Sequence, residues 1–572
     1  MIVPRVKLLR LIIPAYPPFN PYNQFYSRTT ALGAILTASA ANKIPDWEVE
    51  VIDENNCPNT PAWLKLTPDG RIDHQTLQKE RPADIVALCA SLSSTMPRVF
   101  ELAETYQSCG ILTVAGGYHV TALPEEALDH YLDIVITDDE EKTIMQVMKV
   151  YDSLCQDINY DLYLANRAIE TYKNNRSSHF YELEENIKNY WLKVDGIAFR
   201  HINETIINPL ANRPYNCRPA SLPDFSLLRY AKLEVYPINW HRGCPLRCEF
   251  CAVREKPSKE SALDLFKVVR HYHEKFGADN FFIVDDRFGG NLNNKTERDE
   301  LISALKLLIT YQKKVRRNFS FSAQLELNAS DDTKLLLLLY QAGINTVRLS
   351  YDSSIIEAPE INDGTHHQAT KGHTIKWRTM VYYTRQWHQA GFLVHGMFIF
   401  NYPQKAETIA DWANELKQHG ELSAETEKII NLVAEAEQTC GLNELPTIKD
   451  RVRAVKEFIK WARIDTIQVT LAVPSPGTAL RSRLEKSGQL FSPTEVGWEY
   501  YDGQFPLYQP SNCEAEEMWQ GAQDIMSGFY GLKNLFRQLS VSGWAIKRNR
   551  MNESVRHNFL GKLKRAKTAL NK

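Results

Sequence analysis

The sequence predicts an α/β protein with an N-terminal doubly wound parallel sheet, a central β/α barrel or part of one, and a helical C-terminal region. Three observations carry this expectation. Short apolar runs alternate with amphipathic stretches from 5 to 150, the pattern of a parallel sheet covered by helices on both faces. The same alternation resumes after a cysteine-rich loop and runs to about 480. From 481 onward the chain reads as mainly helical.

In the first block, 1–150, strands are expected at 6–13, 49–53, 85–90, 111–115 and 134–136, because strands buried on both faces read as continuous apolar runs. Helices are expected near 29–41, 73–80, 97–109, 124–131 and 140–150, with Pro124, Glu125 and Glu126 forming a helix start. Ligands of such sheets sit at the carboxyl ends of the strands. The turns 14–18, 91–96, 116–121 and 137–141 are therefore the places to look for a site. The charged, Asn/Tyr-rich stretch 151–192 reads as a helical insertion, and the linker continues to 235. In the block 236–480, strands are expected at 280–284, 319–323, 346–351, 393–400 and 467–471, separated by helices such as 332–342. Residues 405–462 are too long for one crossover and read as an added helical hairpin. The final block, 481–572, ends in a basic helix whose charge reads as a solvated face, with RNA or partner contact the minority reading.

Composition narrows the class. Lys and Arg number 67 against 69 Asp and Glu, so no nucleic-acid or anionic-membrane partner is expected. The N-terminal apolar run reads as a first strand rather than a leader, and no apolar stretch reaches the length of a membrane span. Of the ten cysteines, Cys57, Cys89, Cys109, Cys155, Cys217, Cys440 and Cys513 are scattered singly, too sparse for a disulfide scaffold, and a reducing cytoplasm is the expected location.

The remaining three stand together in Trp240-His241-Arg242-Gly243-Cys244-Pro245-Leu246-Arg247-Cys248-Glu249-Phe250-Cys251. Three thiolates at this spacing can converge on one inorganic centre. A structural zinc would need a fourth ligand, and only His241 or the distant Cys217 is placed to supply it. An iron–sulfur cube held at three corners leaves one iron open for chemistry. Arg242 and Arg247 are placed to offset the charge of such an anionic cluster.

The segment RGCPLRCEFC resembles the radical S-adenosylmethionine (SAM) superfamily. The resemblance implies that Cys244, Cys248 and Cys251 ligate a 4Fe-4S cluster whose unique iron is chelated by SAM, and that SAM is cleaved to a 5′-deoxyadenosyl radical. Asp285-Asp286-Arg287-Phe288 is similar to the DDxF segment of the cobalamin-linked branch. Ser322-Ala323-Gln324 and Leu349-Ser350-Tyr351-Asp352-Ser353 fall where the family has a Gln-bearing strand end and an "iGiES" segment. The stretch from Gly391 through Gly396 to Pro403 resembles GxxVxGxFIxGxP, with Asn401 in place of a Gly, and 474–478 matches a PxPGT loop. By this resemblance Asp285, Asp286, Gln324, Asp352, Ser353 and Gly396 would contact SAM.

The N-terminal block has no GxGxxG and no P-loop. Gly116-Gly117-Tyr118-His119-x-Thr121 followed by Pro124-Glu125-Glu126 resembles instead the GGxHxTxxPEE segment of cobalamin-binding domains that precede radical SAM barrels. The resemblance implies cobalamin contacts from Ser91, Ser93, Ser94, Thr95, Gly116, Gly117, His119 and Glu141. Two departures stand out. The family's GEGExT loop reads Asp138-Asp139-Glu140-Glu141-Lys142-Thr143, and there is no DxHxxG element to supply a lower axial His. The cofactors implied are thus a 4Fe-4S cluster, SAM and cobalamin. The function implied is methylation of an unactivated carbon or phosphorus of a small-molecule substrate, with an electron donor of flavodoxin or ferredoxin type as partner. The alternatives are a cyclase or oxidative rearrangement enzyme using the same cofactors, and a non-catalytic cobalamin-binding protein. No catalytic side chain is assigned.

Overall fold

The computed structural model describes residues 6–531, apart from 21, 172–177, 203, 212–220, 245, 254–260, 352–376 and 404–446. Asp352, Ser353, Cys217, the middle of the expected helical hairpin and the basic tail lie outside the described residues.

Strands β1 (Lys7–Ile13), β2 (Trp47–Asp53), β3 (Ile85–Cys89), β4 (Leu112–Gly116) and β5 (Ile134–Ile136) pair in parallel in the order β5-β4-β3-β1-β2. This is the doubly wound arrangement expected, and its order reverses between β1 and β3. Three further strands arise within the stretch expected to be helical insertion and linker. β6 (Ile197–His201) and β7 (Glu204–Ile207) extend the β5 edge in antiparallel fashion, and the short β8 (Leu228–Arg229) pairs with β2.

Helices Leu32–Ala41 and Glu140–Ile158 cover one face of this sheet, and helices His74–Glu80 and Met96–Ser108 cover the other. Their starts are written locally: Asp73 and Asp139 accept from the first-turn amides, the N-cap chemistry that satisfies otherwise orphaned donors. A buried charge runs through the sheet. Arg10 on β1 donates to Glu50 on β2 at 2.8 Å and to Gln78, a pairing that a buried guanidinium requires.

The second sheet has six parallel strands in sequence order: β9 (Tyr236–Ile238), β10 (Asn280–Ile283), β11 (Ser320–Gln324), β12 (Ile344–Ser350), β13 (Leu393–Ile399) and β14 (Thr466–Thr470). Strands in sequence order with helical crossovers make the wall of a β/α barrel. Alternation within each strand sorts the faces. Val394, Gly396 and Phe398 are buried against the helices, whereas His395, Met397 and Ile399 face inward with part of their surface accessible. One apolar core is continuous from the first sheet into the second.

Asn401, which stands where the family has a Gly, adopts φ 48° and is buried against Asn512 at 3.0 Å. An Asn tolerates the left-handed region better than most residues, so the turn after β13 survives the exchange.

Candidate functional site

The cysteine loop follows β9 directly, at a carboxyl strand end. Gly243 takes φ 78°, and the Cys251 amide donates to the Cys248 carbonyl at 3.1 Å, closing a turn. None of Cys244, Cys248 and Cys251 is in a disulfide, and all three are half-buried. Among the described residues no three His, Cys, Asp or Glu side chains gather at ion-binding distance. The thiols thus share one loop without converging on a point. A cube takes one thiolate per iron and spaces them more widely than a single zinc would.

Two clamps hold this loop. At its root, Asp285 is buried and accepts from the amides of Trp240 at 2.7 Å and His241 at 2.9 Å. Burial raises its pKa, against the pull of these hydrogen bonds. At the far end, Glu249 receives Arg483 at 2.7 Å and the Tyr402 hydroxyl at 2.9 Å, while its carbonyl accepts from the Leu480 amide. Thr478 of the PxPGT loop caps the helix Ala479–Lys486 that carries Arg483.

Asp285 therefore positions the cysteine loop with both of its oxygens, while Asp286 beside it is exposed. Gln324 ends β11, and its carbonyl accepts from the Phe288 amide at 3.0 Å. Gly396 lies on the helix-facing side of β13, where a Cβ would meet Phe398 and Ile464 at 3.0–3.1 Å, so its missing side chain serves packing. Arg242, expected to offset the thiolates, is paired with Glu141 at 2.5 Å. Arg287 also lies within electrostatic reach of Cys244 and is paired with Glu326.

On the first sheet, the order reversal places the turns after β1 and β3 side by side. Ser93, Ser94 and Thr95 form a buried single turn there, with Ser91 half-buried before it and Leu92 46% exposed. Gly117 has φ 132°, and a Cβ on it would lie 2.4 Å from the Ser91 amide nitrogen and 2.5 Å from the Ala90 carbonyl carbon. Its glycine is required by the approach of one turn to the next. At Gly116 a Cβ would meet the Glu140 carboxylate at 3.0 Å.

His119 is 2% exposed and held between Ser93 at 2.9 Å and Glu126 at 3.1 Å, so its ring is committed within the protein. The residues fit a bulky ligand over these turns in two respects. Leu92 and Tyr118 present exposed apolar surface, and the Thr137 hydroxyl after β5 is buried with no partner among the described residues.

The two carboxyl edges face each other. Besides the pair between Arg242 and Glu141, a Cβ on Gly477 of the PxPGT loop would touch Ala122 at 3.2 Å. Phe25, from the turn region after β1, packs edge-on against Phe282 of β10 at 5.5 Å.

No family model matches the chain. An uncharacterized methyltransferase of Synechocystis sp. is 26% identical over 143 residues, and a bacteriochlorophyllide d C-8(2)-methyltransferase of Chlorobaculum tepidum is 21% identical over 346 residues. These matches cover 24% and 57% of this chain and 26% and 61% of the relatives, so the chain spans less than two thirds of either. Among solved structures, the radical SAM methyltransferase TsrM of Kitasatospora setae, with cobalamin and a 4Fe-4S cluster bound, superposes with a TM-score of 0.56 at 13% identity. That match covers 96% of this chain and 99% of TsrM. The cobalamin-dependent SAM radical enzyme OxsB with aqua-cobalamin bound gives 0.56 at 13%, over 98% of this chain and 72% of OxsB.

This is the fold of the cobalamin-dependent radical SAM enzymes.

Within that fold, sequence reading missed the residues on the inner face of the second sheet. Arg348 and His395 there are joined by Tyr22 and Tyr26 from the first sheet's turn and by Asp502 from the C-terminal region. A charged residue between the buried Val347 and Leu349 of β12 was the readable signal for Arg348.

Proposed function

We propose that this chain is a cobalamin-dependent radical SAM enzyme that methylates an unactivated carbon or phosphorus of a small-molecule or natural-product substrate. The observation that carries this reading is the meeting of the two carboxyl edges through Arg242 with Glu141 and Gly477 with Ala122, which gives groups held on either edge one shared space. Both curated relatives are named methyltransferases, and so is TsrM. When bound, the cluster with SAM supplies a hydrogen-abstracting 5′-deoxyadenosyl radical and cobalamin carries the methyl group.

The chain's own residues bind, orient and exclude water. Cys244, Cys248 and Cys251 would hold the cluster on a loop fixed by Asp285 and Glu249. Asp286 and Gln324, with Asp352 and Ser353, are proposed to receive SAM. The turn from Ser91 to Thr95, with Gly116 and Gly117, would help to hold cobalamin. The nearby imidazole, His119, is already held by Ser93 and Glu126, so its role would be to order this turn rather than to ligate a metal. A flavodoxin- or ferredoxin-type protein is the proposed electron donor, and the cytoplasm the proposed location. No described helix is long and apolar enough to cross a membrane.

The test uses the full chain, produced anaerobically with cobalamin and with the cluster reconstituted. The expected result is about one cobalamin per chain, with S-adenosylhomocysteine and 5′-deoxyadenosine formed together. Cys244→Ala should abolish deoxyadenosine and keep cobalamin. No cobalamin above background overturns methyl transfer. Deoxyadenosine without S-adenosylhomocysteine shifts the activity to ring closure or oxidative rearrangement, and bound cobalamin with neither product leaves a carrier.

A further inference from the structure

The inner face of the second sheet holds a cation with no anion paired to it among the described residues. Arg348 lies near the carboxyl end of β12, level with Gln324 of β11 and His395 of β13. Its guanidinium carbon is 4.2 Å from the Phe282 ring centroid and 5.9 Å from that of Phe25. Its Nε is buried without an acceptor, and among the described residues the side chain forms no ion pair. The contrast is Arg10, which is fully buried and answered by Glu50, and Arg98, answered by Glu54.

Among the described residues no neighbour supplies a full countercharge. Burial, then the charge of Arg348, pushes His395 down to about 3, so it is neutral, and its Nδ1 lies 2.8 Å from the Thr466 hydroxyl. Burial pushes the phenols of Tyr22 and Tyr26 up, so they keep their protons. Burial raises Asp502 to about 7, and its carboxylate accepts from the amide and side chain of Gln504. Burial likewise pulls Arg348 down to about 10, which still leaves it charged at neutral pH. A guanidinium taken from water without an anion is costly, and its planar fork matches a carboxylate.

We infer that Arg348 is the counter-ion for a carboxylate on the substrate, and that the rings of Phe25, Phe282, Tyr22 and Tyr26 beside it receive a flat apolar body. The substrate class is thus a planar, largely apolar carboxylic acid. A phosphate dianion would call for a second cation, and His395 is neutral. The inference rests on the reading of this space as the substrate site, but its test needs no cofactor.

The probes are benzoate and its neutral isostere benzamide, titrated into the full chain by calorimetry, with Arg348→Lys and Arg348→Gln alongside. Benzoate should bind at least tenfold more tightly than benzamide, Arg348→Lys should keep part of that preference, and Arg348→Gln should lose it. Equal binding of the two probes by the native chain overturns the inference, whatever the variants do. Survival of the benzoate preference in Arg348→Gln overturns it as well. A third arm measures SAM affinity on reconstituted protein. It should be unchanged in Arg348→Gln, and a tenfold loss would assign the guanidinium to the SAM carboxylate and overturn the substrate reading. Failure of these arms leaves cobalamin content untouched, whereas absent cobalamin with intact benzoate discrimination would sink only the methyltransferase proposal.

Discussion

At the scale of one residue, Asp285 shows how a carboxylate sets a loop's shape. Its two oxygens hold successive amides, Trp240 and His241, immediately before the cysteines. Replacement by Asn keeps the size but turns one acceptor into a donor facing an N–H. Asp285→Asn should therefore cost about 1–3 kcal/mol, the penalty of a buried unsatisfied donor. Because those amides root the cysteine loop, iron retained per chain after reconstitution should fall as well. Denaturant midpoints and iron analysis read the two effects, and full iron retention would show that the loop does not depend on this clamp. Asp286 makes the control. It is exposed, so Asp286→Asn should leave stability within about 0.5 kcal/mol. The sequence presents the two as one acidic pair, and burial separates them into an anchor and an exposed group.

At the scale of elements, the turn between β4 and its helix has no room for a side chain. Gly117 combines φ 132° with main-chain atoms of Ala90 and Ser91 at 2.4–2.7 Å from a Cβ position. Gly117→Ala should destabilise by more than about 2 kcal/mol, since backbone cannot yield as a side chain does. Gly277, at φ 68° with nothing within 4 Å, isolates the conformational part, and Gly277→Ala should cost about 1 kcal/mol. Urea midpoints of the two variants compare these costs, and equal losses would remove the steric argument. The central strands of the first sheet were legible because burial on both faces writes them as apolar runs, and those of the second because buried residues alternate with part-exposed ones. β6 and β7 were not, since β6, though buried, is short and follows charged text, and β7 is a polar, part-exposed antiparallel edge. β8 is two residues long, and β9 contains Pro237, which speaks against a strand until its edge position is known. The cysteine triplet was legible from spacing alone. Arg348 and Asp502 were not assigned because their meaning depends on what faces them across the two sheets.

At the scale of the whole molecule, a polar chain ties the C-terminal region to the reversal point of the first sheet. Arg481 lies over the Trp498 ring at 5.4 Å, and Trp498 Nε1 donates to Glu126 at 2.8 Å. Glu126 meets His119, and His119 meets Ser93. Burial raises the pKa of Glu126, but the hydrogen bonds from His119 and Trp498 outweigh it and hold the carboxyl below its usual range. The turn proposed to hold cobalamin is thereby fixed from about 370 residues away in sequence, through one indole N–H. Trp498→Phe keeps most of the ring packing against His119 and Tyr501 and removes that donor. The expected loss of stability is about 1 kcal/mol. The larger effect should be on cobalamin retained through gel filtration, reduced several-fold as the Ser93 turn loosens. Iron content should not change, because Asp285 and the Glu249 to Arg483 pair hold the cysteine loop independently. A parallel loss of iron would mean that the variant disturbs the whole molecule. Unchanged cobalamin would confine the Trp498 network to stability and leave the turn's order to its own backbone.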